Sequence, residues 1–101
     1  MAKEMLGIMV TRYEDLDHIA GVMKAAQAAG HPITLLLTDE GVRFTLDPSF
    51  IALLKLTGLE VFACEHVCDL LGIHDKTAGI TYGSQYNNAT MLHESARVLV
   101  F

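Results

Sequence analysis

The 101-residue chain is long enough for one domain, predicted to span residues 1–101, and too short for two. Its formal charge is −5, and its seven basic residues are spread singly, which excludes the clustered Lys and Arg that nucleic acids and anionic membranes require. No apolar run approaches the roughly 18 residues of a membrane span or forms a secretory signal, so we expect a cytoplasmic protein with reduced thiols. Hydrophobic residues make up 51% of the chain, more than so small a domain readily buries, which favours a homo-oligomer.

Strand and helix patterns alternate along the chain. Short apolar runs bounded by polar residues or glycine predict β-strands over residues 5–11, 33–37, 60–64, 80–82 and 97–101. Apolar residues at helical spacing predict helices over residues 16–29, 50–57, 66–71 and 87–96. Alternating elements whose strands are apolar on both faces are typical of a parallel sheet covered by helices. The sequence therefore predicts an α/β domain, a three-layer α/β/α sandwich around a mostly parallel five-stranded sheet.

Local signals fix several of these boundaries. Asp15 is predicted as the N-cap of the first helix, and Gly30 ends that helix. Asp47-Pro48 supplies an N-cap and a proline at the first helical position of the second helix. Between the second strand and that helix, Thr38–Gly41 is predicted as a turn and Val42–Phe44 as a short extension.

Candidate functional residues follow the strands, because ligands of open α/β sheets bind beyond the carboxyl ends of the strands. Cys64 ends the third strand just before a helix, whose amides and dipole stabilise a thiolate, the form that attacks or carries sulfur. Free cysteine is also among the most buried residue types, so the position leaves open both a reactive and a packed thiol. His66 and Arg12 belong to the same edge and are the candidates for supplying a proton or positive charge.

Cys68 follows Cys64 by four residues, a spacing that matches neither the C-x2-C of redox pairs nor a structural zinc motif. Cys68 can act as a resolving thiol for Cys64, although a disulfide across one helical turn has poor geometry. The alternative is that Cys68 packs as a core residue. His66 and His74 complete no recognised metal pattern, and the chain has no G-x-G-x-x-G or P-loop. We therefore expect neither a metal nor a cofactor.

The apolar first strand with its long alanine-rich helix resembles the DsrE/DsrF-like family of small sulfur-relay proteins, and so do four later segments in order. They are Ile33–Val42, Glu60–Cys64, Leu71–Ile73 and Ser95–Phe101. The resemblance implies flavodoxin-like winding and assembly as a trimer or hexamer. It also implies that Cys64 accepts sulfane sulfur as a persulfide and passes it between donor and acceptor proteins or small thiols. Family members that lack the cysteine serve as structural subunits.

The leading hypothesis is accordingly an intracellular sulfur carrier with sulfurtransferase-type activity at Cys64. One alternative is a non-catalytic DsrE-like assembly subunit or small-ligand-binding module, in which Cys64 only packs. The other is a thiol-redox protein that uses Cys64 and Cys68.

Overall fold

The computed structural model describes residues 4–83 and 93–101, which form one five-stranded sheet. Its strands are β1 (Leu6–Val10), β2 (Ile33–Leu37), β3 (Leu59–Cys64), β4 (Ile80–Gly83) and β5 (Arg97–Val100). Neighbouring strands are parallel throughout, in the order β4-β3-β2-β1-β5. The chain winds in one direction from β1 to β4 and then returns to place β5 on the other side of β1. The predicted α/β fold with a parallel five-stranded sheet is confirmed.

The helices are short apart from the first one. They are α1 (Leu16–Ala28), α2 (Pro48–Ile51) and α3 (Glu65–Leu70), and two 3-10 segments cover Asp39–Leu46 and Ala52–Lys55. Each α-helix coincides with a predicted one to within a few residues, and the second continues as 3-10 helix. The helix predicted over residues 87–96 falls largely outside the described residues. Within the described part of the chain, no helix has the length and apolar character needed to cross a bilayer.

The ends of α1 show how local chemistry sets its boundaries. Asp15 is the N-cap, as predicted, but its backbone is left-handed (φ 61°) and its side chain makes no capping hydrogen bond. Its carboxylate instead accepts a hydrogen bond from Arg12 at 3.3 Å, while its carbonyl accepts from the Ile19 N–H at 2.9 Å. Gly30 follows the helix with φ 85°, a conformation that glycine adopts without strain.

The segment after β2 differs from the predicted turn and extension, because it forms the 3-10 segment Asp39–Leu46. Gly41 packs directly on the Val10 carbonyl group at the end of β1, where a Cβ atom would lie 2.7 Å from the carbonyl carbon. Val42 and Phe44 are then buried against the sheet. This contact with a different strand decides the local conformation, which the sequence of the segment alone does not reveal.

Side chains of the sheet point alternately to two faces. We call the side covered by α1, α2 and α3 the helix face. On this face Ile8, Leu35 and Val61 lie side by side, because they are register partners on β1, β2 and β3. The hydrophobic core lies between this face and the helices, and it includes Ile19, Met23, Phe50, Leu53 and Cys68.

The opposite side, which we call the second face, carries the alternate residues of the same strands. Met9, Leu36, Phe62 and Cys64 belong to it by strand alternation. Leu36 and Cys64 are buried there but are not members of the helix-face core. Thr34 is also buried on this face, and its hydroxyl has no hydrogen-bond partner among the described residues.

Candidate functional site

The carboxyl end of β3 brings together the sequence-predicted cysteine and the start of a helix. Cys64 is the last residue of β3 and the N-cap of α3, which has only six residues. Gly83, the last residue of β4, is the register partner of Cys64. The two strands therefore end together, and the residues that follow them form one rim.

A cleft of about 380 Å³ opens on this rim. It is lined by Glu65, His66, Asp69, Tyr82 and Gly83. Glu65 and Asp69 are four residues apart on α3, so their carboxylates lie on the same side of the helix. The cleft is therefore polar and largely acidic, and His66 contributes the one imidazole among its lining residues.

Lys76 supplies the positive charge beside the cleft. Its Nζ atom lies 3.0 Å from Glu65 Oε2 and 4.4 Å from the centre of the Tyr82 ring. The hydrogen bond to Glu65 raises the pKa of Lys76 above its ordinary value, and desolvation opposes this effect. The ammonium group is thus held by a carboxylate and an aromatic ring at the edge of the cleft.

The loop before β4 is anchored to the rest of the fold beside this cleft. The Tyr82 hydroxyl accepts a hydrogen bond from the Thr77 N–H at 2.9 Å, and the Thr77 hydroxyl donates to the Thr45 carbonyl at 2.6 Å. These bonds connect β4 to the 3-10 segment that follows β2. They position Tyr82 as a wall of the cleft.

Both cysteine thiols are free and buried, and they belong to different packing groups. Cys64 has no exposed surface and lies on the second face, whereas Cys68 is 1% exposed within the helix-face core. Burial is the largest cause of the raised pKa of the Cys68 thiol, and Lys76 opposes it. Cys68 is therefore held as a neutral thiol.

The remaining predicted site residues divide into one that lines the cleft and one that does not. His66 is exposed on α3 and borders the cleft. Arg12 follows β1, which β2 separates from β3, and it is engaged with Glu14 at 3.7 Å and Asp15 at 3.3 Å. The described contacts therefore place Arg12 in its own acidic segment and not beside Cys64. Among the described residues, no group of three His, Cys, Asp or Glu side chains is arranged to hold a metal ion.

The same arrangement of strands occurs in a solved structure. That structure is described as the ychN protein from E. coli, and it superposes on this chain with a TM-score of 0.74. The match covers 98% of this chain and 99% of that chain, with 16% sequence identity. Comparison with protein-family models and with the sequences of curated proteins gives no match. The likeness shows that the two chains share one fold.

Neither Asp69, which lines the cleft, nor Lys76, which lies beside it, was predicted as a site residue from the sequence. Asp69 had a usable signal, since it lies one helical turn after Glu65 in a predicted helix. Lys76 had none, because its position depends on how the loop before β4 folds back toward α3.

Proposed function

We propose that this protein is an intracellular sulfur carrier of the DsrE-like kind, which holds sulfane sulfur as a persulfide on Cys64. The observation that carries the proposal is the position of Cys64, at the carboxyl end of a central parallel strand and next to a polar cleft. The sequence resemblance and the shared fold support the same assignment. The sulfur donor and acceptor are proteins or small thiols, and the protein acts in the cytoplasm as a homotrimer or homohexamer.

The proposed reaction is a thiol–persulfide exchange. The Cys64 thiolate attacks the outer sulfur of a donor R–S–SH, forms Cys64–S–SH, and releases the donor as the thiolate R–S⁻. One S–S bond breaks and another forms, so no external oxidant or reductant is needed. Once the end of β3 has opened, the proton that Cys64 loses before attack goes to water or to His66, which follows Cys64 by two residues at the start of α3. An acceptor thiolate then attacks the same outer sulfur and regenerates Cys64.

Burial of Cys64 sets a condition on this reaction. A thiol with no exposed surface meets a donor only after the end of β3 and its surroundings open locally. We therefore expect Cys64 loading to be slow at neutral pH and to accelerate under mildly destabilising conditions.

The same burial favours a second candidate function. In a non-catalytic assembly subunit or small-ligand-binding module, Cys64 contributes only packing on the second face, and the cleft binds a partner or metabolite. This candidate predicts that Cys64 stays unmodified in the folded protein at all donor concentrations. A thiol-redox function through Cys64 and Cys68 predicts instead an intramolecular disulfide on oxidation.

Intact-protein mass spectrometry after incubation with polysulfide separates these functions. The sulfur-carrier proposal expects a gain of about 32 Da per sulfur in the wild type, none in Cys64→Ser, and an unchanged gain in the matched control Cys68→Ser. Wild type that gains no mass, although it is loaded once unfolded, would overturn the proposal in favour of the packing role. A loss of about 2 Da on mild oxidation would identify the redox pair.

A further inference from the structure

The outer edge of β5 is the most exposed apolar strand surface of the described fold. Val98, Leu99 and Val100 are 42%, 41% and 64% exposed. In contrast, all five residues of β2 are buried, and Ile80 on the other edge strand is 8% exposed. An apolar edge strand is a surface on which another chain adds a strand.

The backbone of β5 presents a defined set of unpaired groups. The Phe101 N–H donates to the Met9 carbonyl at 2.8 Å, and the Phe101 carbonyl accepts from the Thr11 N–H at 2.7 Å. Because backbone groups alternate sides along a strand, Leu99 also faces β1, whereas the N–H and C=O groups of Val98 and Val100 face away from it. Within residues 4–83 and 93–101, β1 is the only strand that pairs with β5.

The residues on this edge are symmetric about Leu99, since Val98 and Val100 flank it. In an antiparallel pair of two β5 strands related by a two-fold axis, Val98 of one copy lies opposite Val100 of the other. The N–H group of each of these two residues donates to the C=O group of the other. The pair related to it by the two-fold axis, Val100 of the first copy and Val98 of the second, forms the same two bonds. Leu99 then faces Leu99 of the second copy at a non-hydrogen-bonded position, where side chains come closest.

Charge supports the same orientation. None of the described residues forms an ion pair with Arg97, which starts β5 and is exposed. Antiparallel pairing brings Arg97 alongside Phe101 of the second copy, whose carbonyl is bonded to Thr11 at the start of the β1–α1 segment. That segment, residues 11–17, carries three carboxylates and one arginine. Antiparallel pairing therefore brings the cation of each copy toward the acidic segment of the other, at both ends of the pair.

We propose that two copies of this chain pair through antiparallel β5 strands, centred on Leu99, to form a continuous ten-stranded sheet. The pairing closes around a two-fold axis, so it yields a dimer alone or an even-numbered assembly if another contact is also present. Of the two assemblies named above it is compatible with the homohexamer and excludes the homotrimer. The proposal does not depend on sulfur chemistry at Cys64.

Cysteine cross-linking tests the register directly. In the paired sheet, Leu99→Cys places two thiols across a non-hydrogen-bonded pair, within the range of about 4.4–6.8 Å between Cα atoms that a disulfide spans. Val98→Cys and Val100→Cys place like thiols more than about 7 Å apart, too far to bridge. Under mild oxidation we expect a covalent dimer at least fivefold more abundant for Leu99→Cys than for either neighbour. Wild type, with its native cysteines buried, gives the background.

Sedimentation velocity supplies the second measurement. Wild type is expected to sediment with a mass of at least about 22 kDa, twice the 11.0 kDa of one chain. Leu99→Lys should halve the mass of the assembly, whereas Leu70→Lys, at a leucine that is 70% exposed on α3, should leave it unchanged. Equal cross-linking at all three positions, or an unchanged mass for Leu99→Lys, would overturn the proposal and assign the edge to a different partner.

Discussion

Replacement of Gly41 by alanine adds only one methyl group, but we expect it to destabilise the fold strongly. A Cβ atom at position 41 would lie 2.7 Å from the Val10 carbonyl carbon and 3.2 Å from Val10 Cγ1. Favourable carbon–carbon contacts begin at about 3.5 Å, so the 3-10 segment must move away from β1 by roughly 1 Å. Overpacking of this kind costs about 3 kcal/mol when backbone atoms are involved, which lowers Tm by roughly 15 °C in a domain of this size.

Gly21 provides the matched control because it lies in α1 and, apart from its chain neighbours and the backbone of its own helix, no described residue lies within 4 Å of its added Cβ. Gly21→Ala should raise stability by about 0.5–1 kcal/mol, since alanine loses less backbone entropy in a helix. Thermal denaturation followed by circular dichroism compares the two variants with wild type. A Gly41→Ala protein that melts within about 2 °C of wild type would refute the argument that the Val10 carbonyl group supports this segment.

Two further substitutions test the hydrogen bonding and the burial described above. Asp47→Ala removes the cap of α2, where Asp47 Oδ1 accepts from the Ser49 N–H at 2.8 Å, and should cost about 1 kcal/mol in urea denaturation at pH 7. The Tyr13 hydroxyl donates a hydrogen bond to Asp47 at 2.7 Å, and this bond lowers the pKa of the Asp47 carboxyl. The ionised carboxylate therefore stabilises the fold fully above its ordinary pKa of 3.8, and this stabilisation is lost as the pH falls through the lower pKa of the folded state. The difference between wild type and Asp47→Ala should accordingly narrow from pH 7 toward pH 3, and a constant difference would contradict this assignment. Cys68→Ala should destabilise the protein less at pH 10 than at pH 7.5, because burial raises the pKa of the Cys68 thiol and its contribution is lost as the pH rises above the ordinary value of 9.0. Equal destabilisation at the two pH values would show that the thiol ionises as readily in the folded chain as in the unfolded one.

The elements predicted most accurately are those with local determinants. The Asp47-Pro48 cap of α2, the glycine after α1 and the apolar runs of β1 to β3 are each decided by residues within a few positions, and the structure has them where the sequence places them. The alternation of strands and helices, which is also visible in local patterns, was sufficient to predict a parallel sheet.

The features that the sequence did not predict depend on contacts between distant segments. The 3-10 segment Asp39–Leu46 forms because Gly41 meets β1, about thirty residues earlier in the chain. Lys76 reaches Glu65 only because the loop before β4 folds toward α3. The complete burial of Cys64 is likewise a property of the second face of the sheet, and strand alternation alone predicts its direction but not its exposure.

The strand order has a consequence for how the fold opens. Leu6 of β1 pairs with Ile33 of β2, 27 positions later, but also with Arg97 of β5, 91 positions later. Closing the longer loop loses more chain entropy. Only the pairing of four β5 residues with β1 offsets this loss, since within the described sheet β5 pairs on one side only. The amide hydrogens of β5 should therefore exchange with solvent through local detachment, well before those of β2, whose exchange requires global unfolding. The strand that detaches most readily from the sheet is thus also the one that pairing between two copies would hold in place.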